Sequence, residues 1–313
     1  MLSSAISALG DRLDAKFMTA YWLPAFVFVL GGIGILSSRV GWRYLDEWVQ
    51  TLDAVEQSLG SLVIILMITM LAFVLRALTR PIAEFYAGIA LPRVVADWST
   101  RGQLRVKARA RQLLDADARE PESPSTGEEW LDRRFPVDDA DIRPTLFGNV
   151  LASAGEHPRF AYAMEGSLWW PRLSPLLPGY FQDSLAGAQA PLMALLNLSV
   201  VFVGLALEAL IVLGLFGMQW MAAIATMAGV LVLSWLCYRA AVSQATDIAT
   251  SFRVAFDLYR YSILDQLGRE HPADAAAEQA LWQHLTQEML GKPVPTPIPA
   301  AKEGAPPHPD VAR

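Results

Sequence analysis

The sequence predicts an all-α membrane protein with four transmembrane helices in two hairpins, a helical cytoplasmic insert between the hairpins and a helical C-terminal extension. Three observations carry this. Hydrophobic residues fill 53% of the 313 positions and charged residues only 18%, where a soluble domain carries about 25% charged. The mean hydropathy of +0.31 is concentrated in a few long uncharged runs that exceed what a soluble core helix needs. Basic residues, finally, crowd one side of those runs. The net charge of −6 and a pI near 5.3 offer no basic footprint for a nucleic acid. A single cysteine, Cys237, excludes a disulfide framework within the chain.

Residues 1–20 read as an amphipathic interfacial helix, because Leu2, Ile6, Leu9, Leu13 and Phe17 recur every three or four positions while Asp11, Arg12, Asp14 and Lys16 fall elsewhere on the wheel. The first hairpin occupies 21–80. Its first span, Tyr21 to Ser37, is uncharged, and its second runs uncharged from Gln57 to Leu75 before Arg76, Arg80 and Pro81. The acids Asp11 and Asp14, and the lack of a small-residue cleavage motif after Ser37, favour a retained span over a signal peptide. The loop 38–60 has two arginines, Arg39 and Arg43, against four acids. From Arg76 to Arg111 there are eight basic residues against Glu84 and Asp97, and retention of Lys and Arg inside places this flank, and with it both termini, in the cytoplasm.

The insert, 81–183, reverses sign midway. Its basic half contains Arg101, Arg105, Lys107, Arg109 and Arg111 on a helix-competent stretch, and its second half, to Arg143, carries ten acids against four arginines. The five basic residues are candidates for lipid headgroups, each worth ~1 kcal/mol near an anionic surface. The alternative is a positive-inside flank, salt-bridged or solvated. Residues 120–129 are turn formers and acids, expected to be a flexible connection. Pro144 starts a short helix with Leu146, Val150, Leu151 and Ala154 on one face, and Pro158 is expected to stop it. Trp169 and Trp170, among prolines, are headgroup-level candidates as well, or else belong to a loop packed on the helices.

The second hairpin, 184–238, is too long for one span and breaks around Gly214 to Trp220 into spans near 191–215 and 218–238. Glu208 is its one acid or base, a carboxyl that must face a helix interface or water. Ala225 and Gly229, four apart, suit close helix packing. Residues 239–290 continue as cytoplasmic helices. Ala245, Ile248, Phe252, Phe256, Tyr259 and Ile263 make a seam near a 3.5 repeat, to be buried on the insert or on another subunit. Ala277, Leu281, Leu285 and Met289 mark a second short helix, closed by Gly291. The tail 291–313 has seven prolines and is expected to be disordered.

Chemical motifs are missing. His157, His271, His284 and His308 stand at no metal-ligand spacing, and no phosphate-binding glycine loop or serine elbow occurs, so neither a cofactor nor catalysis is expected. A lipid-acting enzyme would have to use Glu156, His157 and Glu165. The stretch from Leu146 to Pro178, with FGNVL and LWWPRLSPLLP, resembles uncharacterised multi-spanning membrane proteins of bacteria over about a tenth of the chain. The resemblance implies a bacterial source and topology and brings no activity. The order of hairpin, insert, hairpin and helical tail is also similar to bestrophin-type anion channels, though none of their motifs occurs. The expectation is a scaffold or sensor of the bacterial inner membrane. Its partners would be the lipid bilayer, further copies of itself and a cytoplasmic protein. The alternative is an oligomeric pore with Glu208 near its path.

Overall fold

The structure, a computed structural model, describes residues 15–117 and 125–291. Every regular element among the described residues is a helix, and four of them are long and apolar enough to cross a membrane. The chain divides into two compact units. Unit 1 comprises residues up to 96 together with 186–245, and unit 2 comprises 97–185 together with residues from 246 onward.

In unit 1, α1 (Ala15–Val40) contains a wide π-turn at Met18–Trp22. Its cause is Pro24. Lacking an N–H, Pro24 cannot serve the carbonyl of Ala20 four residues back, and the buried Asn197 amide donates to that carbonyl instead at 2.8 Å. Gly41, at φ 97, ends α1, and a short helix α2 (Trp42–Thr51) fills the connection with exposed Trp42, Tyr44 and Trp48. Asp53 opens α3 (Ala54–Ala77) with a capping box to Glu56. Then α4 (Thr79–Tyr86) turns away.

The long α9 (Gly179–Leu215) enters unit 1 at Ala186. It packs Val201, Leu205, Ala209 and Leu213 against Ala25, Val29, Ile68 and Ala72 of α1 and α3. Gly31 and Gly204 permit the approach, since a Cβ at either would meet Leu205 or Phe28 at 3.0 Å or closer. Met218 at φ 52 makes the turn into α10 (Trp220–Gln266). Ser199 and Ser234 join α9 to α10 through hydroxyls 3.0 Å apart.

In unit 2, α5 (Arg93–Asp117, from Asp97), α6 (Ser125–Arg134), α7 (Leu146–Tyr162) and α8 (Gly166–Leu173) join residues 246–266 of α10 and α11 (Ala275–Met289). The core is aromatic. Trp169 meets Trp282 edge-on at 5.1 Å, and Trp170, Phe252 and Phe256 follow at 4.6 and 5.0 Å.

Two expectations are corrected here. Pro158 does not stop its helix, which runs on to Tyr162 and ends at Ala163 in a left-handed conformation. At Pro158 the helix keeps its course although the Ala154 carbonyl loses its helical donor. The expected connection 120–129 is helical from Ser125, and an ion pair from Arg133 back to Glu129, one turn earlier, supports it. The rest of that connection, the amphipathic residues up to 14 and the proline-rich tail from 292 lie outside the described residues.

Candidate functional site

Unit 2 holds a cavity of ≈ 360 Å³ whose walls come from three places. From α7, Ser153, Glu156 and His157 share one face at spacings of three and four. Helix α10 contributes Arg253, with Asp257 one turn further on, and the segment after α6 contributes Val137. Arg253 donates through Nη2 to the carbonyl of Asp132 at 2.7 Å and to the Ser153 hydroxyl, while its Nε–H is buried without a partner among the described residues. Such a donor costs ~1–3 kcal/mol if nothing meets it.

His157 Nε2 lies 2.7 Å from Asp257 Oδ1, which also accepts the Tyr162 hydroxyl at 2.8 Å. Burial and that carboxylate push the Tyr162 phenol up to about 12, so it stays a donor. Glu156 accepts the Val137 N–H at 2.9 Å. Burial, with the neighbouring Asp141 carboxyl adding to it, raises the Glu156 carboxyl. Asp141 is lowered, by its hydrogen bond with Glu156 and then by Arg159 at 3.1 Å. The pair therefore favours one shared proton on Glu156. The cavity can offer the Arg253 cation to an acceptor, beside an imidazole oriented by a carboxylate. Ser153 spends its hydroxyl on the Asp132 carbonyl and on Arg253, so it is held as a structural link.

The residues predicted from sequence fare unequally. Glu156 and His157 come together at this cavity, whereas Glu165 is exposed outside it and accepts from Ser167. Arg101, Arg105, Arg109 and Arg111 are exposed, but Lys107 is only 3% exposed. Its ammonium donates to the carbonyls of Pro136 and Val137 and to Asp139 at 2.6 Å, so the headgroup assignment for Lys107 is corrected to a link between the basic and acidic halves. Trp169 is likewise no headgroup anchor. It is fully buried, and its indole N–H donates to Thr286 at 2.9 Å. Trp170 is half-buried on Phe252 and Phe256.

Phe256 is fully buried and Phe252 half-buried, both in the unit 2 core. Ala225 and Gly229 make no close packing among the described residues. Both are exposed, and a Cβ at Gly229 would meet nothing within 4 Å, while the buried small residue of that stretch is Ala223. Glu208 is half-buried in α9 with both carboxylate oxygens 2.9 Å from where a Cβ of Gly32 would stand, so the gap left by that glycine is what admits it.

Sequence reading missed Arg253 and Asp257. The available signal was their spacing of four beside the aromatic seam, which puts both on the flank of a helix whose centre is buried. Comparison with the known protein families, with curated proteins and with solved structures finds no match for this chain.

Proposed function

We propose that the chain is a non-catalytic scaffold or sensor of a bacterial inner membrane, anchored by its four spans, self-associating, and acting through the helices of unit 2 in the cytoplasm. One observation carries the self-association. Of the four apolar stretches, that of α10 is the least covered, 11% buried against 39% for α9, and its exposed face includes the small pair Ala225 and Gly229. Small residues on a membrane helix allow close backbone approach, from which dispersion and interhelical contacts gain most. The cavity of unit 2 supports the sensing part, because it sets the Arg253 cation beside the His157 imidazole, where an acidic ligand can be met.

Mass measurement of the detergent-solubilised protein tests the reading. A multiple of 34.3 kDa is expected, with Gly229→Leu shifting the population to monomer. A monomeric parent protein would remove self-association, and channel conductance from the parent in a planar bilayer would replace the scaffold by the pore with Glu208. Orientation is checked in a Cys237→Ser background, in which an impermeant thiol reagent added outside should label Ser58→Cys and spare Glu270→Cys, both exposed positions.

A further inference from the structure

Unit 1 contains a second cavity, of ≈ 400 Å³, open to the outside and lined by α1, α3 and α9. Lys16, Arg76, Tyr21 and Gln189 supply its polar lining and Phe17 and Met193 much of its apolar lining, and no acid among the described residues lines it. The wide turn of α1 forms one wall, since Ala20 and Tyr21 belong to the π-turn that Pro24 and Asn197 create. Irregular turns of this kind often mark places where a helix is shaped for function.

The chemistry of the lining is directional. Lys16 immediately precedes the uncharged run 17–38, and Arg76 immediately follows the uncharged run 57–75. Both cations thus stand at the edge of an apolar layer, where headgroups lie. Arg76 is exposed, with its guanidinium 5.9 Å above the Phe17 ring. The Tyr21 and Thr79 hydroxyls lie 3.2 Å apart, and the Thr79 hydroxyl donates to the Arg76 carbonyl at 2.7 Å. Two cations and the Gln189 amide beside an apolar wall match a group that is anionic at one end and hydrocarbon at the other.

We propose that this cavity binds the phosphodiester of an anionic membrane lipid. The phosphate oxygens accept from Lys16, Arg76 and the Gln189 amide, and the first acyl carbons lie along Phe17 and Met193. Basic pockets between membrane helices hold lipid headgroups by this logic. The site is independent of the scaffold reading and of the cavity in unit 2.

The test titrates full-length protein in non-ionic detergent with phosphatidylglycerol or phosphatidylcholine of the same acyl chains, reading bound lipid by native mass spectrometry. Preference for phosphatidylglycerol is expected. Each cation removed should cost about fivefold in that preference, so Lys16→Gln with Arg76→Gln should cost about twenty-five-fold. Arg80→Gln, outside the cavity and paired with Glu84, should retain it. Met193→Trp, which fills the cavity while keeping both charges, should block binding, so the proposal stays testable if the double variant melts early. Equal binding of the two lipids, or undiminished preference in the double and Trp variants, overturns the proposal. Competition by millimolar inorganic phosphate overturns the lipid assignment in favour of a free-phosphate site.

Discussion

Along α3 in unit 1 the side chains turned outward are Leu62, Leu66, Met70 and Phe73, while those buried among the spans include Asn197, Ser199 and Ser234. Along α5 in unit 2 the outward side chains include Arg101, Arg105 and Arg109, while the interior holds Trp169, Phe256 and Trp282. One chain thus follows two opposite solvation rules. Lipid makes an exposed leucine free of cost and leaves packing and a few hydrogen bonds to join the helices of unit 1. Water makes that same exposure costly, so in unit 2 aromatic burial joins the helices. Helix α10 obeys both rules in turn. Ile224, Val232 and Leu236 are exposed in its first part, and Ala249, Ala255, Phe256 and Leu264 are buried in its second.

The largest expected effect breaks that comparison at its aromatic end. Phe256 has no exposed surface and touches Trp170 and Phe252, so Phe256→Asp places a charge where nothing can pair with it. A loss of at least about 4 kcal/mol is expected, with unit 2 becoming protease-sensitive. Leu66→Ala, at a position 60% exposed in unit 1, should change stability by less than about 0.5 kcal/mol. Comparable losses in the two variants, measured by thermal melting and limited proteolysis, would show that the two units do not follow different rules.

Next in size is the buried ion pair of unit 2. Arg260 donates to Glu278 at 2.6 Å, Tyr261 donates at 3.0 Å to the other oxygen, and Trp282 adds a third donor. Burial alone would raise the Glu278 carboxyl. The bonds from Arg260, Tyr261 and Trp282 together outweigh it and hold the carboxyl below its ordinary value. A carboxyl lowered in the folded state stabilises above its unfolded pKa and loses that contribution as pH falls through the folded value. Arg260→Ala should therefore cost about 3 kcal/mol at neutral pH. Its melting temperature should also depend less on pH than the parent's does below about pH 4. Parallel pH profiles for the two proteins would show that the pair contributes no linkage.

Most of unit 1 was legible in the sequence because a membrane imposes a length and a composition on every span. The uncharged run 57–75 lies inside α3 at 54–77, and the break placed at Gly214 to Trp220 contains the turn at Met218. The seam through Phe256 and Ile263 was legible for a related reason, since a buried helix face repeats. The candidate site was far less so. Lys107 looks like its four basic neighbours in sequence, and only the fold brings the Pro136 and Val137 carbonyls to it from some thirty residues away. Trp169 reads as an interfacial aromatic until Thr286, 117 residues on, accepts its N–H. Periodicity reports which face is buried. It does not report what that face meets.

A middle-sized effect sharpens the picture of unit 1. Asn197→Ala removes the donor to the Ala20 carbonyl, a group that Pro24 has already deprived of its helical partner. A loss of about 1–2 kcal/mol is expected, above the ordinary membrane hydrogen bond because an unmet carbonyl is left behind. Adding Pro24→Ala should recover much of it, because the helix can then supply its own donor. No recovery in the double variant, by melting in detergent, would show that the proline is not the origin of the wide turn.

The smallest effect concerns Glu208, whose carboxylate occupies the space that Gly32 leaves on α1. If that seat is structural, Glu208→Gln keeps its shape and should stay within about 0.5 kcal/mol of the parent, and Glu208→Leu should lose roughly 0.6 kcal/mol. A double-mutant cycle isolates the contact. Gly32→Ala puts a methyl where the carboxylate oxygens are now 2.9 Å away, so the flexible end of Glu208 must swing aside. With Glu208→Ala already in place, the new methyl meets no oxygen and should cost nothing. The two substitutions should therefore be non-additive, by at least about 0.5 kcal/mol, as neighbours in contact are. Additive losses in the cycle would place the carboxylate away from α1. Conductance that Glu208→Gln abolishes would then assign it to an aqueous path, because only a pore makes the charge matter more than the shape.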